Sequence, residues 1–130
     1  MELKRGQELA AEVIAALSPH CQRIEVAGSI RRCKPFAHDI DLVLIPGNQG
    51  GFAMAIRELG QDTVGGPKIE RITYKSAQVD LYFATPDTWA TLMLIRTGSK
   101  EHNIRLTSLA KRRGWHLYAN GNGLVNENGW

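Results

Sequence analysis

The sequence predicts an α/β fold of the α+β kind, with a small mixed or antiparallel sheet flanked by helices and a short helical subdomain after it. Three observations predict it. Leu9, Val13, Ile14 and Leu17 recur at helical spacing near the N-terminus. Short apolar runs at 24–27, 39–45, 68–74 and 78–84 have the length and β-branched content of strands. Gly and Pro punctuate the chain between these segments.

The first helix is expected over 3–18, with Lys4, Arg5, Gln7 and Glu12 mostly between the apolar positions. Pro19 closes it, because proline disfavours helical backbone in the residue before it. The strand at 24–27 runs into Gly28-Ser29, a polar loop continues through Pro35, and the strand at 39–45 ends at Pro46-Gly47. Phe52, Ile56 and Leu59 mark a second helix, and Gly60, Gly65, Gly66 and Pro67 read as a loop. Residues 75–77 make a hairpin turn between the last two strands, and the helices are expected on one side of the sheet. Pro86 suits the first turn of a helix carrying Trp89, Leu92, Met93 and Ile95, which stops at Thr97-Gly98. Ser99 then reads as the N-cap of another helix, with Leu106, Leu109 and Ala110 on its buried side and Gly114 at its stop. The Asn- and Gly-rich remainder from Trp115 to Trp130 has room for a short hairpin. The turn at Thr85-Pro86-Asp87 divides the chain into 1–85 and 86–130.

A chain of 130 residues with 43% apolar content can build one modest core. Sixteen Lys and Arg against thirteen Asp and Glu are too small an excess to name a partner. Their distribution is more informative: Arg31, Arg32 and Lys34 stand next to an acidic pair, and Arg105, Lys111, Arg112 and Arg113 crowd one segment. Cys21 and Cys33 lack the spacing of a zinc site or a disulfide framework and read as free thiols. No apolar run has the length of a membrane span or a signal core, so a soluble, cytoplasmic monomer is expected.

Asp39 and Asp41 are one residue apart in an expected strand, so the pleat puts both carboxylates on one face while Ile40 and Leu42 point to the core. Like charges held this close share a proton or bind a cation, and oxygen ligands without nearby His or Cys favour Mg²⁺. Asp80, between Val79 and Leu81, turns its carboxylate away from the same core, and pairing of the two strands would bring three carboxylates together. An Asp-x-Asp alone is an ordinary polar strand face. The upstream Gly28-Ser29-Ile30-Arg31-Arg32 changes its meaning, because a Gly-Ser turn followed by guanidinium groups suits a triphosphate.

Gly28-Ser29-x-Arg31-Arg32, Asp39-x-Asp41, the later Asp80 and the run Thr97-Gly98-Ser99-Lys100-Glu101-His102-Asn103 together resemble the palm and thumb of family X DNA polymerases. The resemblance covers nearly the whole chain. Its Gly-Ser and Asp-x-Asp parts are shared across the nucleotidyltransferase superfamily, whereas the thumb run is more specific. It implies a nucleotidyltransferase palm at 1–85 and a thumb-like subdomain at 86–130. It implies metal-dependent transfer of dNMP from a dNTP to a DNA primer 3′-hydroxyl, with release of pyrophosphate. Asp39, Asp41 and Asp80 would hold two Mg²⁺ ions, or Mn²⁺, with Asp80 helping to accept the hydroxyl proton. Gly28, Ser29 and Arg32 would meet the phosphates. His38, Arg96, Gly98 and Asn103 would border the nucleotide, and Arg105, Lys111, Arg112 and Arg113 the nucleic acid.

Several positions depart from the family. Ile95 and Arg96 stand where an aromatic pair commonly packs on the sugar, which implies weak discrimination against ribonucleotides. His38 replaces a frequent Gly, as in the template-independent branch, and Thr107 replaces an Arg that touches the template in some members. Nothing ahead of the first helix corresponds to the helix-hairpin-helix grips or the lyase domain of relatives, so no lyase function is assigned. Two alternatives remain: a small nucleotidyltransferase acting on RNA, protein or a small molecule, and a catalytically weak nucleic-acid-binding module. The thumb run favours DNA over the first, and a triple carboxylate cluster argues against a pure polyanion-binding surface.

Overall fold

The structure, a computed structural model, describes residues 1–47, 49–64, 68–98, 100–112, 115–118 and 123–126. Helix α1 (Leu3–Leu17) buries Leu9, Ala10, Val13 and Leu17 on one stripe, and Pro19 sits in the 3₁₀ turn Ser18–His20 that ends it. There follow β1 (Cys21–Ala27), the single-turn α2 (Gly28–Arg31), β2 (Ile40–Pro46), α3 (Gln49–Leu59) and β3 (Gln61–Val64). Strands β4 (Ile69–Tyr74) and β5 (Ala77–Phe83), then α4 (Trp89–Thr97) and α5 (Lys100–Arg112), complete the main body. Strands β6 (Trp115–Tyr118) and β7 (Gly123–Asn126) pair as a separate antiparallel hairpin.

The five-stranded sheet has the order β1-β2-β5-β4-β3. It is mixed, as expected: β2 and β5 are parallel and every other neighbour is antiparallel. On one face, Leu9, Val13 and Leu17 of α1 and Phe52 and Ile56 of α3 pack on Ile40, Leu42, Leu44, Val79 and Leu81. On the other, Trp89, Leu92 and Met93 of α4 cover Ala27, Val43, Ile45 and Ala84. Of 1–85, helices α1 and α3 therefore share one face as expected, and α4 of 86–130 covers the other. The reason is visible in β2, whose consecutive apolar residues from Leu42 to Ile45 need cover on both sides.

Other elements correct the expectations locally. Asp39 lies in the bend before β2, not in the strand, and β1 begins three residues earlier than expected, at Cys21. Residues 61–64, read as loop, pair with β4 at the sheet edge, where a short polar strand leaves little periodic signal. Pro86 belongs to the turn before α4, in which the Thr85 N–H donates to Thr88 Oγ1 at 2.9 Å. Leu109 is exposed on α5, whereas the side chains of Leu106 and Ala110 lie outside the described residues, as do Gly65, Gly66, Pro67, Ser99 and Gly114. Both thiols are free, and burial pushes that of Cys21 up to about 11. Among the described residues no helix is long and apolar enough to cross a membrane.

The β4–β5 turn is tighter than 75–77: Tyr74 pairs with Ala77, leaving Lys75 and Ser76 as a two-residue loop with φ of 47° and 67°. Both residues adopt the left-handed conformation that this hairpin requires and that only Gly and Asn accept easily. Lys75 is also tied to α1, its Nζ and the Tyr74 hydroxyl each donating to Glu12 Oε1 at 2.6 Å. Ser76→Gly should therefore stabilise the protein by about 1 kcal/mol, read as a higher urea midpoint at unchanged slope. A lower midpoint would refute strain at Ser76.

Candidate active site

The parallel register of β2 and β5 sets Asp41 directly beside Asp80, with Ile40 beside Val79 and Leu42 beside Leu81. The apolar pairs enter the α1–α3 core, so the pleat sends both carboxylates to the opposite face. Asp80 is 4% exposed and needs partners. They come from its flanks: Arg71, its cross-strand neighbour on β4, donates Nε to Oδ1 at 2.8 Å, and Gln78 reaches Oδ1 and Oδ2 at 3.3 and 3.4 Å.

Asp41 is in a different position. Burial, followed by the charges of Asp80 and Asp39, pushes its carboxyl up to about 6. The Arg96 guanidinium and a hydrogen bond from Tyr82 offset part of that rise. Arg96 lies over the Tyr82 ring at 4.3 Å, and burial, then the charge of Asp41, lifts the Tyr82 hydroxyl to about 12. Among the described residues no three His, Cys, Asp or Glu side chains stand close enough to form a ready-made cation site. The donor chemistry nevertheless fits a hard divalent cation. Asp41 and Asp80 are register neighbours, Asp39 adds to the charge on Asp41, and Asp41 itself carries an ionisation cost that a cation would relieve.

Above Asp41, β1 ends and the chain turns through Gly28, whose φ is +65°. A Cβ at Gly28 would run into the Asp41 carboxylate, so the turn and the carboxylate can touch only because this residue is glycine. The turn opens into a cleft of about 840 Å³. Gly28, Ser29, Arg32 and Lys34 form one wall, His38, Asp39, Asp41 and Tyr82 line its base, and Ile95, Arg96, Gly98 and Asn103 form the facing wall.

Nine of the ten residues expected to bind metal or nucleotide thus share one cleft, and Asp80 sits beside Asp41 at its base. Two of them are already engaged. Arg32 Nη1 donates to the carbonyls of Thr97 and Gly98 at 2.7 and 3.2 Å, tying the end of α2 to the end of α4. Asn103 Nδ2 donates to the Ile95 carbonyl at 2.7 Å and holds α5 against that same helix end. A Cβ at Gly98 would crowd His102 and Asn103, so this glycine serves close packing. Ile95 is buried, while Arg96 is half-buried on Tyr82. Arg105, Lys111 and Arg112 are exposed on α5 outside the cleft, and Arg113 and the Thr107 side chain lie outside the described residues.

Two crystal structures of Leishmania infantum polymerase beta, a ternary P/T complex and a ternary gap complex, match this chain with a TM-score of 0.79 and 21% identity. Each match covers 97% of this chain, and respectively 57% and 51% of the polymerase chain. The fold is that of a polymerase β-like domain. A curated relative, the DNA polymerase/3′-5′ exonuclease PolX of Bacillus subtilis (strain 168), is 29% identical over 115 residues, in a match that covers 82% of this chain and 20% of that protein. The domain thus spans a fifth of the curated relative and just over half of each solved chain. No family model matches it.

Sequence reasoning missed three side chains of this candidate site. Gln78 and Tyr82 flank Asp80 at two-residue spacing, so the strand pattern alone puts them on its face. Arg71 carried no such signal, because it reaches Asp80 only through the β4–β5 register, which the two-residue turn fixes.

Proposed function

We propose that the chain is the transfer module of a metal-dependent DNA polymerase-type nucleotidyltransferase, adding dNMP from a dNTP to a DNA 3′-hydroxyl. The observation that carries this reading is the parallel register that pairs Asp41 with Asp80 beneath the Gly28-Ser29 turn. Asp39, Asp41 and Asp80 would hold Mg²⁺ or Mn²⁺. Bound there, the cations supply Lewis acidity toward the hydroxyl and phosphate oxygens and offset the charge of the departing pyrophosphate.

The chain's own groups do the rest. Ser29 and the guanidinium nitrogens of Arg32 not spent on Thr97 and Gly98 meet the phosphates from one wall, and Arg96 adds positive charge from the other. Arg71 and Gln78 fix the Asp80 carboxylate. The Asp80 carboxylate would help to accept the hydroxyl proton as the 3′-oxygen attacks the α-phosphorus. The bond from that phosphorus to the bridging oxygen breaks, and pyrophosphate leaves. The division into a palm at 1–85 and a thumb-like subdomain at 86–130 belongs to the same proposal.

The test is a labelled primer, with and without template, incubated with each dNTP and with Mg²⁺ or Mn²⁺. Extension is expected only with a divalent cation and not in Asp41→Ala or Asp80→Ala. Near wild-type extension by either variant would overturn the proposed site.

A further inference from the structure

At the mouth of the cleft stands an aromatic face that the transfer chemistry does not use. Phe36 is 58% exposed, and its ring stands edge-on to His38, with centroids 5.9 Å apart and planes at 74°. Its backbone is tied on both sides: Phe36 bridges Glu2, the Leu3 N–H donates to the Pro35 carbonyl at 3.2 Å, and the Ala37 N–H donates to the Met1 carbonyl at 2.9 Å. Ala37 is buried, so the next residue anchors the loop while the ring projects. The same cleft is lined by Lys34 from this loop and by Lys100 and Ile104 from α5. Lys100 and Ile104 are four residues apart and share a helix face, and Ile104 is itself 55% exposed.

We propose that Phe36 and Ile104 are the apolar lips of a nucleobase subsite, with Lys34 and Lys100 set to meet the adjoining phosphates. The ligand class is an unpaired nucleobase with its phosphate. A flat ring that shares its cleft with two lysines matches that chemistry, because every base offers a π-face for stacking and the charge beside it is anionic. An apolar peptide or a lipid tail would gain nothing from the lysines. The subsite deepens the transfer reading, on which it rests for the identity of the ligand, and its test is separable from that reading because stacking and phosphate contact need no cation.

The test is fluorescence anisotropy in EDTA with a labelled single-stranded oligo(dT) and an abasic strand of the same length, in wild type, Phe36→Ala and Phe36→Trp. Unlabelled dTTP serves as competitor. Phe36→Ala is expected to weaken the base-bearing ligand about ten-fold, leave the abasic strand unchanged, and be rescued by Phe36→Trp. Dependence on Phe36 for oligo(dT) alone assigns the subsite to a strand, and dependence for dTTP alone assigns it to the free nucleotide. Because the ring is exposed, thermal unfolding of Phe36→Ala should match wild type, which separates binding loss from misfolding. Wild-type affinity of Phe36→Ala for both base-bearing ligands, or equal loss on the abasic strand, would overturn the subsite. Failure of the transfer proposal would appear in primer extension and leave these results untouched.

Discussion

Asp41→Asn is expected to abolish transfer and, at the same time, to make the protein more stable at neutral pH. The folded-state carboxyl sits at about 6 against an ordinary 3.8, because of burial and then the charges of Asp80 and Asp39. A carboxyl raised in the folded state favours folding fully below about pH 3.8 and loses that contribution as pH rises through about 6. At pH 7 the folded protein therefore bears the whole ionisation cost, on the order of 2–3 kcal/mol. Asparagine removes the charge and keeps the shape. The variant should gain most at pH 7–8, and its advantage should shrink to nothing near pH 4, as read from thermal midpoints across that range. Mg²⁺ should raise the wild-type midpoint at pH 7 and leave the variant unmoved. Equal pH profiles for the two proteins would remove the argument for a strained carboxylate, and retained extension activity would remove Asp41 from the reaction.

Gly28→Ala should damage both stability and transfer. The residue combines φ of +65° with a position where a side chain meets the Asp41 carboxylate. The left-handed conformation alone costs about 1–2 kcal/mol for a non-glycine residue, and displacing the carboxylate adds to it. A total of about 3 kcal/mol corresponds to roughly 6–15 °C in midpoint for a chain of this size. The steric part can be isolated by a double-mutant cycle: in Gly28→Ala with Asp41→Ala the clash with the carboxylate is gone and only a tight Cβ contact stays, so the combined loss should be smaller than the sum. Additive effects would mean that the turn and the carboxylate do not touch.

Most of the fold was legible because period and punctuation agree over α1, β2, β5 and α4, each with strong apolar patterning. The candidate site was legible for a related reason. The residues expected to bind metal or nucleotide cluster in two runs, from Gly28 to Asp41 and from Arg96 to Asn103, and only Asp80 stands outside them, beside Asp41. What escaped depended on tertiary register. Arg71 is an unremarkable strand arginine until β4 is laid against β5, and Arg32 looks like a free phosphate ligand until α4 brings the Thr97 and Gly98 carbonyls to it. Strand β3 escaped because Gln61–Val64 is short and polar, and Leu109 was misread because an apolar residue on a helix facing a cleft mouth need not be buried.

The sheet's topology also orders its assembly. Strands β1 and β2 join across one short connection and β4 and β5 across a two-residue turn, so each antiparallel pair can form from nearby chain. The parallel seam between β2 and β5 cannot, because everything from α3 through β4 must first be threaded between them. Each half carries its own acidic residue harmlessly until the seam closes, when Asp41 and Asp80 are forced side by side. Docking of the two halves, rather than formation of either, should then be the folding step that slows with rising pH, and a divalent cation held as proposed would quicken it.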